Sequence, residues 1–138
     1  MQRALNILLI EDDTIEVMKM KRVISSIEVH HQLIEAKNGE EALVLLSNKE
    51  NLPDIILLDL NMPKVNGVEL LTTIKSDERL RYIPAIVLTT SNHRKDLLSC
   101  YQLGVAGYVL KPLKYESYVS KVKNLLGYWS MNELIIDR

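Results

Sequence analysis

A chain of 138 residues, 47% of them hydrophobic, has the length and apolar content for one compact domain with its own core and little room for a second. Its 17 Lys and Arg against 18 Asp and Glu leave no cationic excess to grip a phosphate backbone, so proteins or small anions are expected as partners rather than nucleic acid. The single cysteine, Cys100, excludes an internal disulfide, and no apolar run approaches the ~20 residues needed to cross a bilayer. The opening "MQRALNILLIEDD" lacks the apolar segment and small-residue cleavage site of a signal peptide, and the expectation is a soluble cytoplasmic protein with no membrane partner.

Along the chain, short apolar runs alternate with segments of helical period, the pattern of a parallel sheet covered by helices on both faces. A first strand, 5–10, ends in Glu11, Asp12 and Asp13, and Asp13 is placed to cap the helix predicted over 14–27. In that helix Val17, Met20, Ile24 and Ile27 form the stripe that faces the sheet. Ile15, Met18 and Arg22 form a second, shorter stripe, either scattered surface residues or a docking face. His30 and His31 enter a second strand, 31–36, and read as solvated loop histidines, as does His93. A helix over 39–48 leads to the third strand, 54–59, whose run Ile55, Ile56, Leu57, Leu58 has the composition of a strand buried on both faces. Beyond it lie a helix at 66–75, a strand at 83–88, a helix at 93–103, a strand at 106–110 and a helix at 115–128. Gly39, Gly67, Gly104 and Gly107 fall at the joints. Cys100 reads as a small buried hydrophobe within its helix. The tail cluster Tyr128, Trp129, Met131, Leu134, Ile135 and Ile136 either folds back onto the domain or offers a surface for self-association.

Ligands of an open parallel sheet bind outside the carboxyl ends of the strands, where the strand order reverses. The first strand delivers Glu11 and Asp12 to that edge and the third delivers Asp59. Two like charges ~4 Å apart cost roughly 4 kcal/mol at an effective dielectric of about 20, so the cluster favours a cation. Its hard oxygen ligands suit Mg²⁺, and no loop carries the alternating ligands of a calcium site. The fourth and fifth strands bring a hydroxyl, Thr89, and an ammonium, Lys111, to the same edge. A carboxylate can act as a nucleophile toward a phosphoryl group, and a hydroxyl and a lysine are suited to meet the charge it acquires.

The blocks "LLIEDD", "PDIILLDLNMPKVNG", "IPAIVLTTS" and "GYVLKP" resemble, in order and at the usual separations, the receiver domain of bacterial two-component response regulators. The resemblance runs from about residue 5 to residue 126. It implies a doubly wound α/β fold, flavodoxin-like, with a five-stranded parallel sheet of order 2-1-3-4-5 and three layers. It implies a receiver domain over 1–127, with 128–138 a short extension that carries no output domain. By this resemblance Asp59 is the phosphoacceptor. Asp12 is the direct Mg²⁺ ligand, Glu11 acts beside it through bound water, and the backbone carbonyl of Asn61 is a further ligand. Thr89 and Lys111 engage the phosphoryl oxygens, Tyr108 is an aromatic switch, Pro112 succeeds a cis bond, and Asn61 and Ser91 tune lifetime. The ending "VKNLLGYWSMNELI" is most similar to stand-alone receivers paired with phytochrome-type histidine kinases.

The resemblance implies a phosphoacceptor signalling protein and not an enzyme, assisting only its own phosphotransfer and dephosphorylation. Its partners would be a sensor histidine kinase or a histidine phosphotransfer protein and a downstream protein target. A second copy is a candidate partner through the tail and the face made by helix four, strand five and helix five. A non-phosphorylated adaptor of the same fold would lack part of the pocket, whereas Glu11, Asp12, Asp59, Thr89 and Lys111 are all present. A flavin mononucleotide carrier would need a phosphate loop where "EDDTIE" is acidic.

Overall fold

The three inner strands, NILLI, IILL and AIVLT, are short runs dominated by Ile, Leu and Val whose alternate side chains need cover on opposite sides, and the helices supply it. The computed structural model describes residues 2–62 and 66–135. In chain order these form β1 (Asn6–Ile10), α1 (Thr14–Ser25), β2 (Gln32–Ala36), α2 (Gly39–Leu46), β3 (Ile55–Leu58), α3 (Gly67–Ser76), β4 (Ala85–Thr89), α4 (Arg94–Leu103), β5 (Gly107–Leu110) and α5 (Tyr115–Ser130). The strands form one parallel sheet of order β2-β1-β3-β4-β5, as expected.

The two-residue period of the strands divides the core. Leu8, Ile10, Ile56, Leu58, Ala85 and Val87 pack with Ala42 and Leu46 of α2, Leu70, Leu71 and Ile74 of α3, and Cys100 of α4. Ile7, Leu9, Ile55, Leu57, Ile86 and Leu88 pack with Val17, Met20 and Val23 of α1 and Tyr118, Val122 and Leu126 of α5. β3 is wholly buried because it has a strand on either side and helices above and below.

Element ends depart from the sequence expectation by one or two residues, for local reasons. α1 stops at Ser25, where the N–H groups of Ser26 and Ile27 turn to the carbonyls three residues back, Val23 and Ile24. Pro84 lacks an N–H, and β4 begins after it and includes Thr89. The cap assigned to Asp13 is present, its carboxylate accepting from the Ile15 N–H at 2.9 Å. Gly104 ends α4 in the left-handed region at φ 91°, where glycine carries no Cβ penalty.

His31 departs from expectation. It is buried rather than solvated, and its Nδ1 accepts the Leu5 N–H at 3.0 Å while the Leu5 carbonyl accepts from the Gln32 N–H. The imidazole is thus the first rung joining β2 to β1, and burial holds its pKa below the usual histidine value. His30 and His93 are not buried. The tail divides: Trp129 and Leu134 pack against the α1/α5 core and the Arg3 N–H donates to the Ser130 carbonyl, whereas Tyr128, Met131 and Ile135 are exposed. Ile136 lies outside the described residues, as does Pro63, expected to help turn the chain after β3. α5 passes unbroken through the boundary expected at 127/128.

Gly67 opens α3 against the loop after β3. A Cβ there would stand 2.6 Å from the Leu60 Cα and 2.9 Å from the Asp59 carbonyl oxygen, both backbone atoms that cannot move aside independently. Gly67→Ala should therefore cost about 1–3 kcal/mol, read as a lower urea midpoint at unchanged slope; an unchanged midpoint would show that this approach is not constrained.

Candidate phosphoacceptor and metal site

β1 and β3 are neighbours, and the backbone joins their ends. The Asp59 N–H donates to the Ile10 carbonyl at 3.1 Å, setting Asp59 one residue past β3 beside Glu11, one residue past β1. The carboxylate oxygens of Glu11, Asp12 and Asp59 lie within 4.8 Å of one another. Glu11 and Asp59 are buried and Asp12 is exposed, so the cluster is open on one side.

β5 brings the counter-charge. The Lys111 N–H donates to the Thr89 carbonyl at 2.8 Å, continuing the β4–β5 ladder to the sheet edge. The Lys111 side chain is 7% exposed, and its Nζ lies 2.6 Å from Glu11 Oε1, 3.7 Å from Glu16 Oε2 and 3.9 Å from Asp59 Oδ2. Burial opposes the charge on Lys111, but the hydrogen bond to Glu11 and the negative charges of Glu11, Asp59 and Glu16 hold its pKa above the ordinary lysine value. Burial pushes the Glu11 carboxyl up to about 7, with the nearby Asp59 charge adding to it despite the ion pair to Lys111.

Thr89 closes β4 and is fully buried. Its Oγ1 accepts the Ser91 N–H at 3.3 Å, leaving the hydroxyl proton to donate elsewhere. Ser91 ties this loop to two elements: its hydroxyl donates to Asp96 Oδ2 of α4 at 2.6 Å, and its carbonyl accepts from the Tyr108 hydroxyl of β5 at 2.8 Å. Tyr108 is half-buried against the α2/α3/α4 core. Asn61 is exposed, and its N–H reaches Asp59 Oδ1 at 3.4 Å. The Lys111–Pro112 bond, expected cis, is trans, the isomer that X–Pro bonds intrinsically favour.

Glu11, Asp12, Asp59 and Lys111 thus converge as expected, with Thr89 on the strand between β3 and β5. Two members of the constellation lie outside the sequence expectation. Glu16 comes from the first turn of α1, where "DTIE" reads more simply as a capping box, yet the reciprocal N–H of Asp13 goes to Glu11 Oε2 at 3.3 Å instead. Asp96, in the first turn of α4, carries an ordinary helix-start signal and nothing that marks Ser91 as its partner.

The sequence matches the response regulator receiver domain family over residues 7–123. It is 39% identical over 127 residues to the probable methanogenesis regulatory protein FilR2 of Methanothrix harundinacea, covering 89% of this chain and 82% of that one. Among solved structures, the phosphorylated cyanobacterial phytochrome response regulator RcpA superposes with a TM-score of 0.91 at 32% identity, covering 96% of this chain and 99% of that one. The Mn²⁺-bound form of the response regulator Rcp1, a protein of Synechocystis, gives 0.87 at 32% identity, covering 94% and 98%.

Because the folded chain holds a proton on Glu11 over an interval where the unfolded chain does not, stability should fall as pH rises from about 4.5 to about 7 in cation-free buffer. Glu11→Gln should flatten that part of the profile in urea unfolding with a chelator present, and an unchanged slope would mean Glu11 titrates as an ordinary carboxylate.

Proposed function

The chain belongs to the response regulator receiver family of two-component signalling, and on that premise we propose that Asp59 accepts a phosphoryl group from the phosphohistidine of a sensor histidine kinase or phosphotransfer protein. The observation that supports it most is a buried, strand-end carboxylate placed 3.9 Å from a buried ammonium and against two further acids. In the transfer an Asp59 oxygen attacks phosphorus, the O–P bond forms, the N–P bond breaks, and the electron pair returns to the imidazole ring.

The donor set fits a hard divalent cation: three carboxylates whose oxygens approach within 4.8 Å, one of them exposed so that water and a phosphoryl oxygen can complete the shell. Glu11, Asp12 and Asp59 would hold Mg²⁺, with the Asn61 carbonyl as the further candidate, and the structure of Rcp1 with Mn²⁺ supports such an ion in a related protein. The chemistry Mg²⁺ supplies when bound is neutralisation of charge between the attacking carboxylate and the anionic phosphoryl group.

The chain's own residues do the rest. Lys111 holds a positive charge beside Asp59 and pairs with an added phosphoryl oxygen, and the Thr89 hydroxyl donates to another. A shift of Thr89 pulls on Ser91, and Ser91 is bonded to both Asp96 and Tyr108, so the event at Asp59 biases the packing of α4 and β5. We read residues 1–127 as this signalling unit and 128–138 as an extension packed on it in part. The protein is a signalling protein whose output is a change of surface. Among the described residues, no helix is long and apolar enough to cross a membrane.

Acetyl phosphate with Mg²⁺ should label the wild type and leave Asp59→Asn unlabelled in intact-mass measurement; persistent labelling of the variant would remove Asp59 as the acceptor. A second copy is the proposed partner for the exposed apolar residues of α4 and the tail, with Leu98 58% and Met131 66% exposed. Light scattering over a concentration series should show a dimer that Leu98→Asp or Met131→Asp weakens, and a monomer at every concentration would exclude it.

A further inference from the structure

An ammonium has three protons to donate, and that of Lys111 faces three carboxylates at unequal distances. Only Glu11, at 2.6 Å, is hydrogen-bonded to it. Glu11 is also one of the three acids that would hold a divalent cation, and its other oxygen already accepts from the Asp13 N–H. A cation that draws on Glu11 therefore competes with Lys111, and a lysine side chain 7% exposed cannot turn to bulk water when it loses that partner. Asp59 Oδ2 stands farther off, at 3.9 Å, and its carboxylate belongs to the same cation cluster.

Glu16 has the remaining acceptor. Its Oε2 is shielded from solvent, accepts no hydrogen bond, and lies 3.7 Å from Lys111 Nζ. Its Oε1 is 3.3 Å from Lys19 Nζ, and that ammonium sits 4.5 Å from the centroid of the buried Tyr118 ring. α1 and α5 together hold one carboxylate oxygen, without a hydrogen-bond partner of its own, facing Lys111.

We propose that Glu16 is a positioning residue for Lys111: it takes the ammonium as Glu11 turns to a divalent cation, and so keeps Lys111 beside Asp59. The role rests on the phosphoacceptor reading of the site and adds to it the group that lets cation and lysine be held together. By linkage, an acceptor that stabilises Lys111 away from Glu11 must tighten the cation by the same factor.

The test is a double-mutant cycle on Mg²⁺ affinity, measured by titration calorimetry on the full chain: wild type, Glu16→Gln, Lys111→Met and the double variant. Glu16→Gln should weaken Mg²⁺ about fivefold in the wild-type background and by less than about twofold in the Lys111→Met background. Equal weakening in both backgrounds would make Glu16 a bystander charge and overturn the proposal, as would no weakening in the wild type. These outcomes are separate from the labelling of Asp59. Mg²⁺ binding without coupling sinks the role of Glu16 alone, while a wild type that binds no Mg²⁺ takes the cation reading down with it.

Discussion

Among the described residues, Glu11, Asp12, Asp59 and Glu16 gather with the Lys111 ammonium at the carboxyl edge of the sheet, and most of that charge is out of water. Glu11, Asp59 and the Lys111 side chain are buried, Glu16 is partly so, and Asp12 is exposed. Burial, with the nearby Asp59 charge adding to it, pushes the Glu11 carboxyl up to about 7 despite its pairing with Lys111. The arrangement is unfavourable in isolation and favourable to anything that brings positive charge. A divalent cation would offset that imbalance, and the cluster of Glu11, Asp12 and Asp59 has the oxygen donors for one.

The fold holds that imbalance in place. Parallel strands in the order β2-β1-β3-β4-β5 put the ends of β1 and β3 side by side, and the Asp59 N–H to Ile10 carbonyl bond fixes the two acidic ends against each other. β3 is buried on every side, so Asp59 sits at the end of a strand held by core packing on both faces. Thr89 and Lys111 arrive from the next two strands through a continuous ladder. The polar groups that connect this edge outward are Ser91, on the loop after β4, with Asp96 of α4 and Tyr108 of β5, so a change at the loop reaches both elements.

The sheet, its order and its two apolar faces are legible because alternation in Ile, Leu and Val runs is a direct record of which side each residue covers, and because the motif blocks carry the family's strand order with them. Asp13 is legible as a cap because a cap acts within three residues. His31 is not: its partner is Leu5, 26 residues away, and a histidine before an edge strand carries no local mark of burial. Glu16 is hidden by a local explanation that fits its position equally well, a capping box that the structure does not form. Tail residues with the same apolar character divide between core and surface because helical phase and the turn after α5 decide which side each one meets.

The sequence by itself determined which residues carry charge, where strands and helices alternate, and that Glu11, Asp12, Asp59, Thr89 and Lys111 lie at strand ends; these are properties of short segments with a fixed period. Only the tertiary structure decided which of them touch. That Lys111 bonds Glu11 at 2.6 Å while standing 3.9 Å from Asp59, and that Glu16 turns an unpartnered oxygen toward it, depends on how α1 and α5 pack over one face of the sheet. The Lys111–Glu11 bond spans 100 residues of chain, a separation set by packing against a common core and recorded by no period in the sequence.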